Sequence, residues 1–275
     1  MQLWWQHIPE YSNPIAFTVG FFSLRWYAVC FILGFLGAFL FFSWYTKKYE
    51  EYGTIEDRYD FFLILFVGVL LGGRLGYVLL YQPSIIWEYP TLLFWPYQNG
   101  HWVGISGMSF HGGLIGVVAA LFLYAKRTQK NFLSLADHVV LSVPIALFFG
   151  RIGNFLNGEL YGRITEKSWG MYFASSEVLR HPSALYEALG EGAFLFMSLI
   201  LLGRFARFSG ALTAAFFVFY GAIRFILEYY REPDKDIFFV AETWTLGQWY
   251  SLPMVIIGML LFVWLRKKNR DTLKQ

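Results

Sequence analysis

Seven stretches of this sequence, at about residues 21–44, 60–81, 106–125, 137–155, 184–203, 209–229 and 247–265, are apolar over roughly the 20 residues a helix needs to cross a hydrocarbon core. Their apolar residues come in continuous runs rather than at amphipathic spacing, which is the pattern of helices that face lipid. Composition agrees: 57% of residues are hydrophobic and 15% charged, against about a quarter charged in ordinary soluble domains. The fourth and fifth stretches are the weakest, because His138, Arg151, Glu187 and Glu191 interrupt them. A hydropathy window alone therefore leaves the count between six and eight.

Basic residues orient the chain. Lys47, Lys48 and Arg58 follow the first stretch, Lys126, Arg127 and Lys130 the third, Arg204 and Arg207 the fifth, and Arg266, Lys267, Lys268, Arg270 and Lys274 the seventh. On the opposite side, residues 1–20 and 82–100 carry no Lys or Arg, while 156–183 and 231–246 carry only Arg163, Lys167, Arg180, Arg231 and Lys235. The positive-inside rule then predicts an outer N-terminus, a cytoplasmic C-terminus and an odd number of crossings, which selects seven. Trp4, Trp5, Trp87, Trp95, Trp102, Trp244 and Trp249 fall near the outer ends, as an interfacial belt should. The expected fold is an all-α polytopic membrane helix bundle forming one domain over residues 1–275, with the long polar connection 156–183 as a small outer cap.

The net charge of +3 is small and its cations adjoin apolar runs, which suits lipid headgroups and argues against nucleic acid. The N-terminus lacks the basic region of a signal peptide and reads as retained. Cys30 is the only cysteine, so no internal disulfide forms, and it reads as a small apolar filler. Gly68, Gly72 and Gly76, like Gly112 and Gly116, recur every four residues and predict close helix contacts.

Arg25, Arg74, Arg151 and Arg224 lie within or beside apolar stretches, where a charge costs at least about 2.5 kcal/mol on insertion scales. Arg25 sits near the outer boundary and reads as snorkelling; Arg74 reads equally as structural or functional. Tyr220, Arg224 and Glu228 are spaced four apart and share a helix face, and Glu187 and Glu191 form a second such pair that reads as bracing helix packing. The segment GRIGNFLNGELYGR, Gly150 to Arg163, is the densest polar stretch at membrane depth. Irregular backbone there must line a cavity or be buried in protein. Arg151 offers a fork for a phosphate, and Asn154 and Asn157 suit ester or glycerol oxygens. His111, flanked by Gly112 and Gly113, reads either as a satisfied core residue or as a proton acceptor for a thiol. The histidines share no metal-ligand spacing, so neither a metal nor a cofactor is expected.

With these motifs assembled, the sequence resembles the bacterial prolipoprotein diacylglyceryl transferase family. The resemblance rests on SLRWYAV (23–29), GGRLGYVL (72–79), GMSFHGGLIG (107–116), GRIGNFLNGELYGR (150–163), HPSALYE (181–187), YGAIRFILEYYREPD (220–234) and GQWYSLPM (247–254). It implies a multi-pass inner-membrane enzyme, with the N-terminus and cap periplasmic. Such an enzyme moves the diacylglyceryl group of phosphatidylglycerol onto the lipobox cysteine of a prolipoprotein signal peptide, forming a thioether and releasing glycerol 1-phosphate. By position, the family's important residues fall on Tyr27, His111, Arg151, Asn154, Glu159, Gly162, Tyr220, Arg224 and Glu228. In that reading Arg151 and Arg224 hold the phosphate, Glu228 orients Arg224, Asn154 and Glu159 position the headgroup, Tyr27 shapes the cavity, and His111 is the candidate base.

Two rival readings differ in class. GISG at 104–107 matches a four-residue pattern of intramembrane serine proteases, with Ser106 as nucleophile. A lipid or anion transporter would line a pathway with the same arginines, although the chain shows no internal repeat of the kind many transporters have.

Overall fold

The computed structural model describes residues 3–20, 22–49, 52–93, 97–98, 101–102, 107–206, 208–232 and 244–272. Trp95, Ser106, Arg207, Lys235 and Lys274 lie outside the described residues. The chain is mostly helical, and each of the seven apolar stretches falls on a helix: α1 (Trp26–Thr46), α2 (Ile55–Tyr81), α3 (Phe110–Thr128), α4 (Phe132–Leu156), α5 (Ser183–Gly203), α6 (Ala211–Leu227) and α7 (Leu246–Thr272). Five of these, α1, α2, α4, α5 and α7, are long and apolar enough to cross a membrane. The other two fall short, since α3 is bounded by His111 at one end and Lys126 and Arg127 at the other, and α6 has 17 residues. The fourth and fifth stretches, weakest in sequence, are among the five. α4 reaches back to Phe132 rather than starting near 137, and α5 runs unbroken through its two glutamates. Leu36, Leu40, Leu79, Ile115, Phe122, Leu260 and Val263 on these helices are exposed. Apolar surface on that scale marks a membrane-facing protein rather than one bathed in water.

The chain divides into two compact units, residues 45–135 and residues 1–44 with 136–275. In the first, α2 starts with Thr54, whose hydroxyl accepts from Asp57 N while Thr54 N donates to the Asp57 carboxylate, a reciprocal cap. α2 and α3 pack antiparallel along the glycine rows, with Gly68 against Gly116 and Ala120, and Gly76 against Gly112. A Cβ on Gly72 would sit 2.6 Å from Gly116 Cα, so the backbones touch where any side chain would separate them. Ser109 N donates to Gly73 O at 2.9 Å, and Ser109 Oγ caps Gly112 N, which joins the start of α3 to α2. Arg74 belongs to the same scaffold: its Nε donates to Leu93 O at 2.9 Å and its Nη1 to Gly107 O at 3.2 Å, tying down the connection between the two helices.

In the second unit α4 lies against α1, where a Cβ on Gly34 would be 3.0 Å from Phe149 Cβ and one on Gly153 would be 3.0 Å from both Tyr27 Cα and Cys30 Cβ. The α6–α7 pair is also antiparallel, with Gly221 on Ser251 and Gly258 on Ala214. Asp137 of α4 accepts from Gly210 N, Thr213 N and Thr213 Oγ1, each at 2.7 Å, so a side chain of one helix caps the start of another. The connection from α4 to α5 carries an antiparallel hairpin, Met171–Phe173 with Ser176–Arg180. Phe173 packs with Phe155 and Ala184, and Gln6 reaches Ser168 O at 3.0 Å, so the N-terminal segment joins this layer.

Candidate active site

Three helices of the second unit bring opposite charges together. Arg151 comes from the last two turns of α4, Glu187 and Glu191 from the first half of α5, and Arg224 from the last turn of α6. Arg151 contacts Glu191 Oε2 through Nε (3.2 Å) and Nη2 (3.0 Å), and Glu187 Oε2 through Nη1 (2.8 Å). Arg224 contacts Glu187 Oε1 (2.9 Å) and Glu191 Oε1 (3.4 Å) through Nη1, and Glu228 Oε2 (2.7 Å) through Nη2. Each of Glu187 and Glu191 thus holds Arg151 on one oxygen and Arg224 on the other, which makes the carboxylate pair a spacer between two guanidinium groups. Arg231 adds a third cation, 3.4 Å from Glu187 Oε1.

The side chains of Glu187 and Glu191 are 1% and 0% exposed, while those of Arg151 and Arg224 are 18% and 15% exposed. The acids are the closed back of the site and the arginines its accessible face. Three cations and three carboxylates balance in formal charge, as a buried cluster must if it is not to leave a bare ion in low dielectric. The middle of α5, Ala188–Phe194, is a π-helical turn in which Leu195 N donates to Gly190 O, five residues back. Such insertions recur at functional sites, and this one carries Glu191.

A second polar group follows Arg151. Asn154 lies one turn further on α4 and donates to Glu159 Oε2 at 3.4 Å, while Asn157 donates to Glu159 Oε1 at 3.1 Å and accepts from Tyr27 N at 3.2 Å. Arg25 Nη1 stands 4.0 Å from Glu159 Oε1. Tyr27 is within electrostatic reach of both Arg151 and Glu159, so it adjoins the two polar groups. Tyr220, one turn before Arg224, is buried, stacks on Phe216 and is within electrostatic reach of Glu191, Arg224 and Arg151. Gly162 donates its N–H to His181 O at 2.8 Å, and any side chain there would strike Tyr230 O at the end of α6. Its neighbour Arg163 donates N to Tyr230 O and Nε to Arg231 O, which fixes the α6 terminus and with it Arg231. His181, close by, has its pKa lowered, first by burial and then by the charge of Lys167.

Of the nine sequence-identified residues, eight fall in this unit: Tyr27, Arg151, Asn154, Glu159, Gly162, Tyr220, Arg224 and Glu228. His111 is carried by the other unit, on the first turn of α3, with its ring edge-to-face on Phe110. Glu187, Glu191 and Arg231 were not among the nine. Two acids at i, i+4 in a membrane stretch that otherwise lacks a counter-ion are the available signal, and their spacing alone points no further than packing. The carboxylates of the cluster are taken up by guanidinium groups, and the described residues hold no grouping of three or more His, Cys, Asp or Glu able to bind a metal.

Five helices of membrane length, two of them carrying part of a buried ionic cluster whose arginines are its more exposed side, define an integral, multi-pass membrane protein. The family profile described as prolipoprotein diacylglyceryl transferase matches residues 14–264. Among curated proteins, the chain is 43% identical over 258 residues to the phosphatidylglycerol–prolipoprotein diacylglyceryl transferase of Idiomarina loihiensis, covering 93% of this chain and 94% of that one. It is 41% identical over 268 residues to the protein of the same name from Wolinella succinogenes (97% and 98% covered). The corresponding protein of Campylobacter lari is 39% identical over 270 residues (96% and 98% covered). The chain belongs to the prolipoprotein diacylglyceryl transferase family.

Proposed function

We propose that the Arg151–Arg224 cluster grips the phosphate of phosphatidylglycerol while the lipid's diacylglyceryl group passes to a prolipoprotein. The protein is a transferase acting between these two substrates. In the reading offered here, the acceptor is the thiol of a lipobox cysteine in a signal peptide. The sulfur loses its proton and attacks the glycerol carbon that bears the phosphate. A C–S bond forms, the C–O bond breaks, and its electron pair leaves on the phosphate oxygen as glycerol 1-phosphate.

The observation that carries this reading is the shared hold of Glu187 and Glu191 on both arginines. Each guanidinium has five N–H donors: Arg151 hydrogen-bonds Glu191 through Nε and Nη2, Arg224 hydrogen-bonds Glu187 and Glu191 through Nη1, and Arg151 Nη1 and Arg224 Nη2 stand in ion pairs with Glu187 and Glu228. The donors left over suit an oxyanion that gains charge as it departs. Well-placed donors of this kind are worth about 3 kcal/mol each in the transition state. Glu228 orients Arg224, Asn154 and Glu159 meet the glycerol headgroup, and Tyr27 borders both groups. Gly162 keeps the α6 terminus close, Tyr220 walls the cluster, and His111 takes the thiol proton.

Seven crossings, an outer N-terminus, a cytoplasmic C-terminus and a periplasmic layer at 156–183 complete the proposal, with the bacterial inner membrane as its location. The alternation of basic loops supports that topology. The test is to incubate the purified protein with phosphatidylglycerol and a lipobox peptide and to analyse the products by mass spectrometry. A peptide heavier by one diacylglyceryl group, with glycerol phosphate released in equal amount, is expected. Lipid moved without any covalent adduct would replace this reading with the transporter one.

A further inference from the structure

We infer that a wholly apolar cavity between α4 and α5, directly beneath the arginine cluster, is the seat of one acyl chain of the lipid substrate and sets the chain length the protein accepts. The inference rests on the phosphate reading of Arg151 and Arg224. The cavity is about 240 Å³ and is lined by Pro144, Ile145 and Phe148 of α4 and by Gly192, Ala193 and Phe196 of α5. None of these six side chains bears a polar atom.

Position, not apolarity alone, selects the occupant. Arg151 stands near the end of α4, and Phe148, Ile145 and Pro144 follow in order toward the helix middle. At 1.5 Å per residue, Pro144 lies about 10 Å along the axis from Arg151. α5 starts on the same side as α4 ends, and its sequence Glu191, Gly192, Ala193, Phe196 descends in the same direction. Both walls therefore run from charge to hydrocarbon going inward, as a phospholipid does from phosphate to acyl chain. A soluble anion matches only the upper half of that gradient, and a signal peptide, apolar but without a phosphate, only the lower.

The π-helical turn serves both halves. It carries Glu191, which holds the arginines, and Gly192 and Ala193, which line the cavity. Gly192 also sets the helix spacing, since a Cβ there would lie 2.6 Å from Phe148 Cβ. Phe196 is steadied from the far side by Phe41 of α1, edge-to-face at 5.0 Å. Ala193 is the lining residue whose enlargement narrows the cavity without touching that contact or the charged cluster.

Two measurements test the assignment. In the transfer assay, Ala193→Phe is expected to lower the rate with dipalmitoyl phosphatidylglycerol at least tenfold relative to dioctanoyl phosphatidylglycerol, and Phe196→Ala to shift preference toward longer chains. Unchanged chain-length ratios in both variants would overturn the assignment. Independently of turnover, phosphatidylglycerol bearing a diazirine midway along an acyl chain should, on illumination, label peptides containing 144–148 or 192–196 in the unaltered protein. Labelling confined to other helices would overturn the cavity's role, whereas labelling here with no transfer to any acceptor would leave the acyl seat standing and remove the transferase chemistry above it.

Discussion

The α2–α3 pair and the α4–α5–α6 trio solve the same problem by opposite means. Inside a membrane, helices gain little from hiding apolar surface, because lipid is as apolar as they are. α2 and α3 answer with bare backbone contact: Gly68, Gly72, Gly112 and Gly116 remove the side chains between them. α4, α5 and α6 are bridged by six charged groups, and desolvating those charges is expensive. The glycine solution shows that charges are not needed to join helices in this chain. An ionic junction kept where a dry one suffices has another task, and its partly exposed arginines indicate which.

The comparison breaks first at Arg151. Arg151→Ala should lower transfer by at least about 100-fold, matching about 3 kcal/mol of lost transition-state stabilisation, while the protein still inserts and is recovered folded. Turnover near that of the unaltered protein would take Arg151 out of the leaving-group role. Glu191→Gln comes next. It keeps the shape of the spacer but halves the negative charge that Arg151 and Arg224 share with Glu187. We expect a roughly tenfold lower kcat with a smaller change in KM, together with a lower melting temperature, since breaking one partner of a buried pair typically costs about 3–5 kcal/mol. A melting shift with kcat untouched would reduce Glu191 to a structural brace.

The sequence already displayed the helices, because crossing hydrocarbon demands long apolar runs and leaves few other patterns. The glycine rows were equally legible, since four-residue spacing fixes a helix face whatever lies opposite. The partners of Arg151 were not. Glu187 and Glu191 read as a self-contained pair because i, i+4 spacing describes one helix, whereas their actual contacts reach across to α4 and α6. Arg74 was ambiguous for a similar reason: its partners are the backbone carbonyls of Leu93 and Gly107, which carry no side-chain signature. The π-helical turn at Ala188–Phe194 and the hairpin ending on Ala174 and Ser175 were invisible as well. A widened turn has no composition rule, and Ala-Ser lacks the Asn-Gly signal of a tight hairpin.

The dry interface gives a smaller effect of a different kind. In Gly68→Val the first added carbon would stand 2.7 Å from Ala120 Cβ and 2.8 Å from Gly116 O, so α2 and α3 must separate. Overpacking of this sort costs about 1–3 kcal/mol. The expected result is a lower thermal midpoint with the chain-length preference retained. An altered chain-length preference would mean that the two regions are coupled more tightly than the contrast between them allows.

The smallest effect is expected at Asp137, which is charged and buried like the glutamates but does no more than cap. Its two oxygens meet Gly210 N, Thr213 N and Thr213 Oγ1 and, among the described residues, no cation, so its role is to satisfy the open amides at the start of α6. Asp137→Ala should cost about 0.5–2 kcal/mol of stability, the range of a lost helix cap, seen as a modest drop in melting temperature. Because α6 also carries Arg224 at its far end, four turns away, a cap that only closes the helix should leave KM for phosphatidylglycerol unchanged. A raised KM would mean that the start of α6 governs where Arg224 stands, and that a buried acid outside the cluster shares in its function.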